Sequence, residues 1–152
     1  MPIDTPTIYA SIYNRLASDS AGATLRALLG QSTRLATLTG NGNNAAIFPV
    51  DMLETVKAIN VDRPWIAVKD GEIAGSSGSI RDCFTSLWIY TSGRSRSYDM
   101  RVIKAAIDDL FGYTNRHSIS GGFLKVVFSG RAVEEATDLD SAEMRVTYSQ
   151  FG

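Results

Sequence analysis

The residues of this chain with the reach to do chemistry are few and scattered. His117 is the single histidine, in the polar run TNRHS, and Cys83 is the single cysteine, in RDCFTSL. A metal centre needs several ligands side by side, and neither residue has such company in the sequence. A Ser-His-Asp site would have one available base, and there is no Gly-x-Ser-x-Gly elbow to present its serine. Cys83 lies mid-strand between apolar neighbours, where a buried, inert thiol is expected. Glu134, Glu135, Asp138 and Asp140 gather late in the chain. They lack the glycine and closing glutamate of a calcium loop, so a solvated turn is expected. Gly40-Asn41-Gly42-Asn43-Asn44-Ala45 fits the outline GxGxxA. That motif needs a strand before it and a helix after it. Here it runs into AAIFPVD, stopped by Pro49, so a loop is expected. The sequence thus predicts no enzyme, no metal and no cofactor.

Arg94 and Arg96, in SGRSRS, stand between a predicted strand and a predicted helix. Two arginines there suit a phosphate at a helix N-terminus, a partner's carboxylates, or plain solvent. They belong to a wider asymmetry. Arg81, Arg94, Arg96, Arg101 and Lys104 outnumber Asp82 and Asp99, whereas Glu134, Glu135, Asp138, Asp140 and Glu143 face Arg145 alone. Such segments are either solvated surface or two complementary faces that set register between subunits. On the second reading the interface residues are Arg94, Arg96, Arg101, Glu134, Glu135, Asp138 and Asp140.

Composition sets the bounds. A chain of 152 residues with 44% hydrophobic and 20% charged residues reads as one domain, residues 1–152, with a full core. A formal net charge of −1 lacks the basic footprint of a dedicated nucleic-acid binder. One cysteine makes no internal disulfide. No run approaches the ~18 apolar residues of a membrane span, and MPIDTPTIYASIYNRL has no secretory pattern. A soluble protein made in the cytoplasm is the expectation.

Periodicity predicts the elements that must position these residues. Thr5-Pro6 opens a helix carrying Ile8, Tyr9, Ile12, Tyr13 and Leu16. A second helical segment, 21–29, places Leu25, Leu28 and Leu29 inside and stops at Gly30. Residues 31–44 read as a loop and 46–50 as a short extended piece. Asp51 with Glu54 resembles a capping box for a short helix facing inward through Met52, Leu53, Val56 and Ile59. PWIAVK, 64–69, is a strand ending in an Asp70-Gly71 turn, and Gly75 to Gly78 form a loop. In the next strand Cys83, Leu87 and Ile89 alternate with Phe84, Trp88 and Tyr90, so both faces are apolar. The chain's own helices suffice to cover one face, and a neighbouring subunit is expected on the other. Ile103, Ala106, Ile107, Leu110 and Phe111 line the following helix, with Gly112 at its end. Strands near 123–128 and 143–151 complete the chain. The last alternates Met144, Val146 and Tyr148 with Arg145, Thr147 and Ser149, which suits a half-exposed edge. The fold class is α+β: a mainly antiparallel sheet of about four to five strands with two to three helices on one face.

Four pieces of this pattern resemble the tail terminator, or tail-completion, proteins of long-tailed bacteriophages. IYASIYNRLASDSAGATLRALLG resembles the family's opening helices. RPWIAVKDGEI resembles its Pro-led first strand. RDCFTSLWIYTSGRSRSYDMRVIKAAIDDLFG resembles its strand with an aromatic end and the amphipathic helix after it. EMRVTYSQFG resembles its final strand. A longer insert between Gln31 and Asn60 departs from the pattern. The resemblance implies a structural virion protein of the tail or neck, synthesised in the host cytoplasm and devoid of catalytic residues. It implies a homo-oligomeric ring, a hexamer, that caps the tail tube protein and joins it to the connector or stopper protein. It implies no membrane and no sequence-specific nucleic acid, with DNA passing through the ring lumen. Two other readings stand beside it: another neck or connector component, and a small ligand- or peptide-binding module with a cleft lined by Trp65, Trp88 and Tyr90.

Overall fold

The computed structural model describes residues 5–30, 46–58, 64–74, 82–111, 117–119, 122–131 and 139–150. Helix α1 is Thr5–Ala17, a 3-10 turn spans Ser20–Gly22, and α2 is Ala23–Leu29. Strand β1 is Ile47–Pro49; a 3-10 turn, Val50–Met52, leads into α3, Leu53–Ala58. Then come β2 (Trp65–Ala74), β3 (Asp82–Ser92), α4 (Arg96–Phe111), β4 (His117–Ile119), β5 (Gly122–Arg131) and β6 (Leu139–Gln150). The six strands form one sheet in the order β1-β2-β3-β6-β5-β4. Every pairing is antiparallel except β1 with β2.

The α+β class and the mainly antiparallel sheet are those the sequence predicts. β1 falls in the short extended piece expected at 46–50; the strand beyond the expected count is β4, three residues long, too short for a period of two to stand out. Three helices gather on one face. Ile8, Ile12 and Leu16 from α1 and Ile103, Ile107, Leu110 and Phe111 from α4 are buried with Ile66, Val68, Leu87, Ile89, Met144 and Val146 of the sheet. Their spacing is the helical stripe read from the sequence.

Two arginines lock these helices together. Arg15 Nε donates to the Leu110 carbonyl at 2.9 Å, at the C-terminal end of α4. Arg26 Nη1 donates to the Leu16 carbonyl at 3.0 Å, at the end of α1. Each satisfies a carbonyl that has no partner within its own helix. Gly22 lies where α1 and α2 meet: a Cβ there would stand 2.5 Å from the Arg15 carbonyl oxygen and 2.8 Å from that of Leu16. Gly30 ends α2 with φ 71°, and its N–H donates to the Arg26 carbonyl at 3.0 Å. This is the glycine stop the sequence predicts.

Several expectations are corrected. Leu28 points outward, 39% exposed, while Leu25 and Leu29 are buried. Asp70-Gly71 does not end β2. The register runs Lys69↔Ser86 and then Glu72↔Phe84, so two residues of β2 oppose one of β3. This is a β-bulge, and a glycine inside a strand is a common mark of one. β6 is not an edge: it pairs with β3 along its length and with β5 on the other side. Its alternation reports that β6 turns polar side chains to one face.

The second face of β3, with Trp88 and Tyr90, is mixed in character. Part of it is covered by the chain itself, because Lys57 of α3 sits 5.9 Å above the Tyr90 ring. Beneath α3, Trp65 packs on Phe48 (5.3 Å between centroids) and on Tyr90 (4.5 Å). The same face also carries Lys69, Trp88, Glu143, Arg145, Lys125 and the half-buried Phe123. Trp88 Nε1 donates to Glu143 Oε2 at 3.2 Å, Arg145 Nε pairs with Glu143 Oε1 at 3.0 Å, and Lys69 Nζ lies 5.6 Å from the Trp88 ring.

The expected loops at 31–44 and 75–78, Ile59, Gly112, and the acidic residues Glu134, Glu135 and Asp138 lie outside the described residues, as do the side chains of Cys83, Phe84 and His117.

Candidate assembly surface

Two of the predicted interface residues meet inside the chain. β3 ends in Thr91 and Ser92, and Gly93, with φ 82°, turns the backbone toward α4. That left-handed conformation favours glycine. Arg96 N–H donates to the Gly93 carbonyl at 3.3 Å and Asp99 N–H to the Ser95 carbonyl at 2.8 Å, so Ser95 is the N-cap. Thr91, directly opposite Asp140 in the β3–β6 ladder, donates its hydroxyl to the Arg96 carbonyl at 2.8 Å. Arg96 Nη1 donates back to the Gly93 carbonyl at 2.9 Å. Ser97 Oγ donates to Asp140 Oδ2 at 3.1 Å, and Arg96 Nε lies 3.8 Å from Asp140 Oδ1.

Asp140 is therefore not in a solvated turn. It is 5% exposed within β6, with its carboxylate at the N-terminal end of α4, where a negative charge is favoured by the helix dipole. Its contact with Arg96 is made at the surface on one side only, the arginine side chain being 33% exposed. Arg96 and Asp140 thus brace the β3–α4 turn of their own chain, and the structure brings them together rather than placing them on opposite faces. Arg94 and Arg101 remain exposed.

The residue that sequence reasoning missed is Tyr98, 64% exposed at the start of α4. A signal was present: it lies five residues before Ile103, well off the buried stripe of that helix, so the helical period turns it outward.

Of the three residues expected to line a ligand cleft, two are partly exposed, Trp88 and Tyr90, and one is buried. Trp65 is fully buried, α3 lies over Tyr90, and Trp88 is bound to Glu143. A groove of about 290 Å³ does run between α2 and α4, lined by Arg15, Ala21, Thr24, Leu25, Ala106 and Asp109. Arg15 is committed there to the Leu110 carbonyl. Among the described residues no three His, Cys, Asp or Glu side chains come together as a metal-binding group, and no helix is long and apolar enough to cross a membrane.

No protein-family model matches the chain, and no curated protein does. Among solved structures, it is similar to a chain from the virion of a native gene transfer agent (GTA) particle. The likeness has a TM-score of 0.59 at 13% sequence identity and covers 99% of this chain and 100% of that one. It is a likeness of fold, spanning both chains end to end.

Proposed function

We propose that this protein is a structural component of a phage-like virion, acting by assembly and not by catalysis. The observation that carries the reading is the end-to-end likeness to a chain of a virion particle, with neither chain left over. In the finer reading it is a tail terminator. It forms a homo-oligomeric ring, a hexamer, on the last ring of the tail tube and receives the connector or stopper protein above. The four sequence segments that resemble that family support this role. The exposed Arg94, Tyr98 and Arg101 add a surface of the composition that protein interfaces favour. Another neck or connector component of the same virion is the second reading, since the likeness to a virion chain favours it equally.

Solution mass by light scattering, with and without the candidate tail-tube protein, tests the proposal. A hexamer, or a monomer that becomes a ring on the tube, is the expected result. A monomer indifferent to the tube, but bound by a connector protein, selects the other neck role. A monomer indifferent to both overturns assembly.

A further inference from the structure

The outward face of α4 carries its charges in an order that the helix itself does not favour. At 3.6 residues per turn, Tyr98, Arg101, Ala105, Asp108 and Asp109 fall within about 100° of arc, opposite the buried Ile103 and Ile107. All five are exposed. Acids are favoured near a helix N-terminus and bases near its C-terminus. Here Arg101 lies in the first half, and the last turn holds both aspartates and no base. Among the described residues, no side chain makes an ion pair or hydrogen bond with Arg101, Asp108 or Asp109, and that includes Lys104, four residues before Asp108. Asp109 also lines the groove of about 290 Å³ between α4 and α2. The other charge in that groove, Arg15, is held on the Leu110 carbonyl.

A face with a base at one level and acids at another is complementary to a copy of itself, in one orientation only. Run parallel and in register, two such helices set Arg101 against Arg101 and Asp108 against Asp108. Run antiparallel, the helices bring opposite charges together. We infer that the outward faces of α4 from two copies of this chain pair antiparallel about a twofold axis, with Arg101 of each against Asp108 of the other. The axis passes level with Ala105, whose small side chain lets the helices approach closely. On the flank toward α2, Tyr98 lies about three turns before Asp109 and in line with it, so each Tyr98 hydroxyl donates to the other copy's Asp109 at the mouth of its groove. α4 has 16 residues, about 24 Å at 1.5 Å per residue, and one stripe of that length buries less than the roughly 1,200 Å² of a standard interface. The pairing is therefore weak and depends on concentration. It is twofold, unlike the head-to-tail contacts that close a ring, so it goes beyond the assembly role proposed above and does not depend on it.

Sedimentation velocity over a concentration series, at low and high salt, tests the pairing on four chains: the wild type, Arg101→Asp, Asp108→Arg and the double swap. The wild type and the double swap are expected to dimerise as concentration rises, and less so at high salt. Each single swap sets like charges together at both contacts, and its dimer is expected to weaken by about tenfold or more. Mixed in equal amounts, the two single swaps are expected to form a one-to-one dimer, because every contact then joins opposite charges. Where a swap melts below the parent, Arg101→Gln or Asp108→Asn takes its place in the self-association arm. A wild type that stays monomeric at every concentration would overturn the inference. So would single swaps that dimerise like the wild type, or a mixture of them that stays monomeric. If the chain also forms rings, the same chains are compared for pairs of rings. Single swaps that lose the ring itself would overturn the inference too, since the contact would then belong to the ring.

Discussion

Arg96, on the first turn of α4, and Asp140, in β6, lie 3.8 Å apart although they come from two segments of the chain with opposite charge bias. The contact turns what reads in sequence as two charged surfaces into an internal brace. It also separates two arginines that look equivalent in SGRSRS: Arg94 is exposed, whereas Arg96 is engaged.

The brace predicts different outcomes for the two. Arg96→Glu sets a second negative charge against a buried carboxylate, and a loss of about 1–3 kcal/mol is expected, the scale of leaving a buried polar group unsatisfied. Arg94→Glu should stay within about 0.5 kcal/mol of the parent, as surface changes do. Urea midpoints of the two variants check this, and equal midpoints would show that the Asp140 contact carries no stability.

The two tryptophans should also part company. Trp65 is fully buried between Phe48 and Tyr90, so Trp65→Ala is expected to cost about 3–5 kcal/mol. Trp88 is half-buried beside Glu143 and Lys69. Its loss removes part of that burial and one hydrogen bond to Glu143, about 1–2 kcal/mol. Denaturant unfolding of both variants decides the order; a Trp88→Ala chain as damaged as Trp65→Ala would place Trp88 in the core after all.

Gly22 and Gly93 are required for different reasons. Gly22→Ala drives a methyl group against two backbone carbonyls, and overpacking of that kind costs about 1–3 kcal/mol. Around Gly93 there is open space, but its φ of 82° disfavours any side chain, by about 1–2 kcal/mol. Thermal melts should show both losses. A Gly22→Ala variant that melts with the parent would mean that α1 and α2 shift apart without cost.

Tyr13 supplies a pH test. Its hydroxyl donates to the Ile47 carbonyl at 3.0 Å, and burial holds its pKa above the ordinary 10.0. The folded state keeps this proton more tightly than the unfolded chain does. The contribution is therefore complete below pH 10 and is lost as pH rises through the raised value. Tyr13→Phe should lower the melting temperature at neutral pH, by the loss of about 1 kcal/mol, and flatten its fall above pH 10. A wild-type and variant difference that is constant across that range would show that Tyr13 ionises as freely in the fold as outside it.

Much of the fold was legible in the sequence. α1, α4 and the four long strands follow from local period, because side-chain direction repeats every 3.6 residues in a helix and every two in a strand. Gly30 as a stop follows from its tolerance of positive φ. Chemistry was legible only as an expectation of none. The arrangement of strands was not legible. Alternation in β6 states that one face is polar, and says nothing about how many neighbours the strand has, so a central strand read as an edge. Asp70-Gly71 could begin a turn or make a bulge, and only the pairing of β2 with β3 on both sides of it decides. The candidate surface divides in the same way. Its charges are written in the sequence, and the outward placement of Tyr98 is implicit in the period of α4. That Arg96 is spent on Asp140, leaving Arg94, Tyr98 and Arg101 as the surface, depends on β6 lying beside β3. That is a long-range pairing, and no local pattern of residues encodes it.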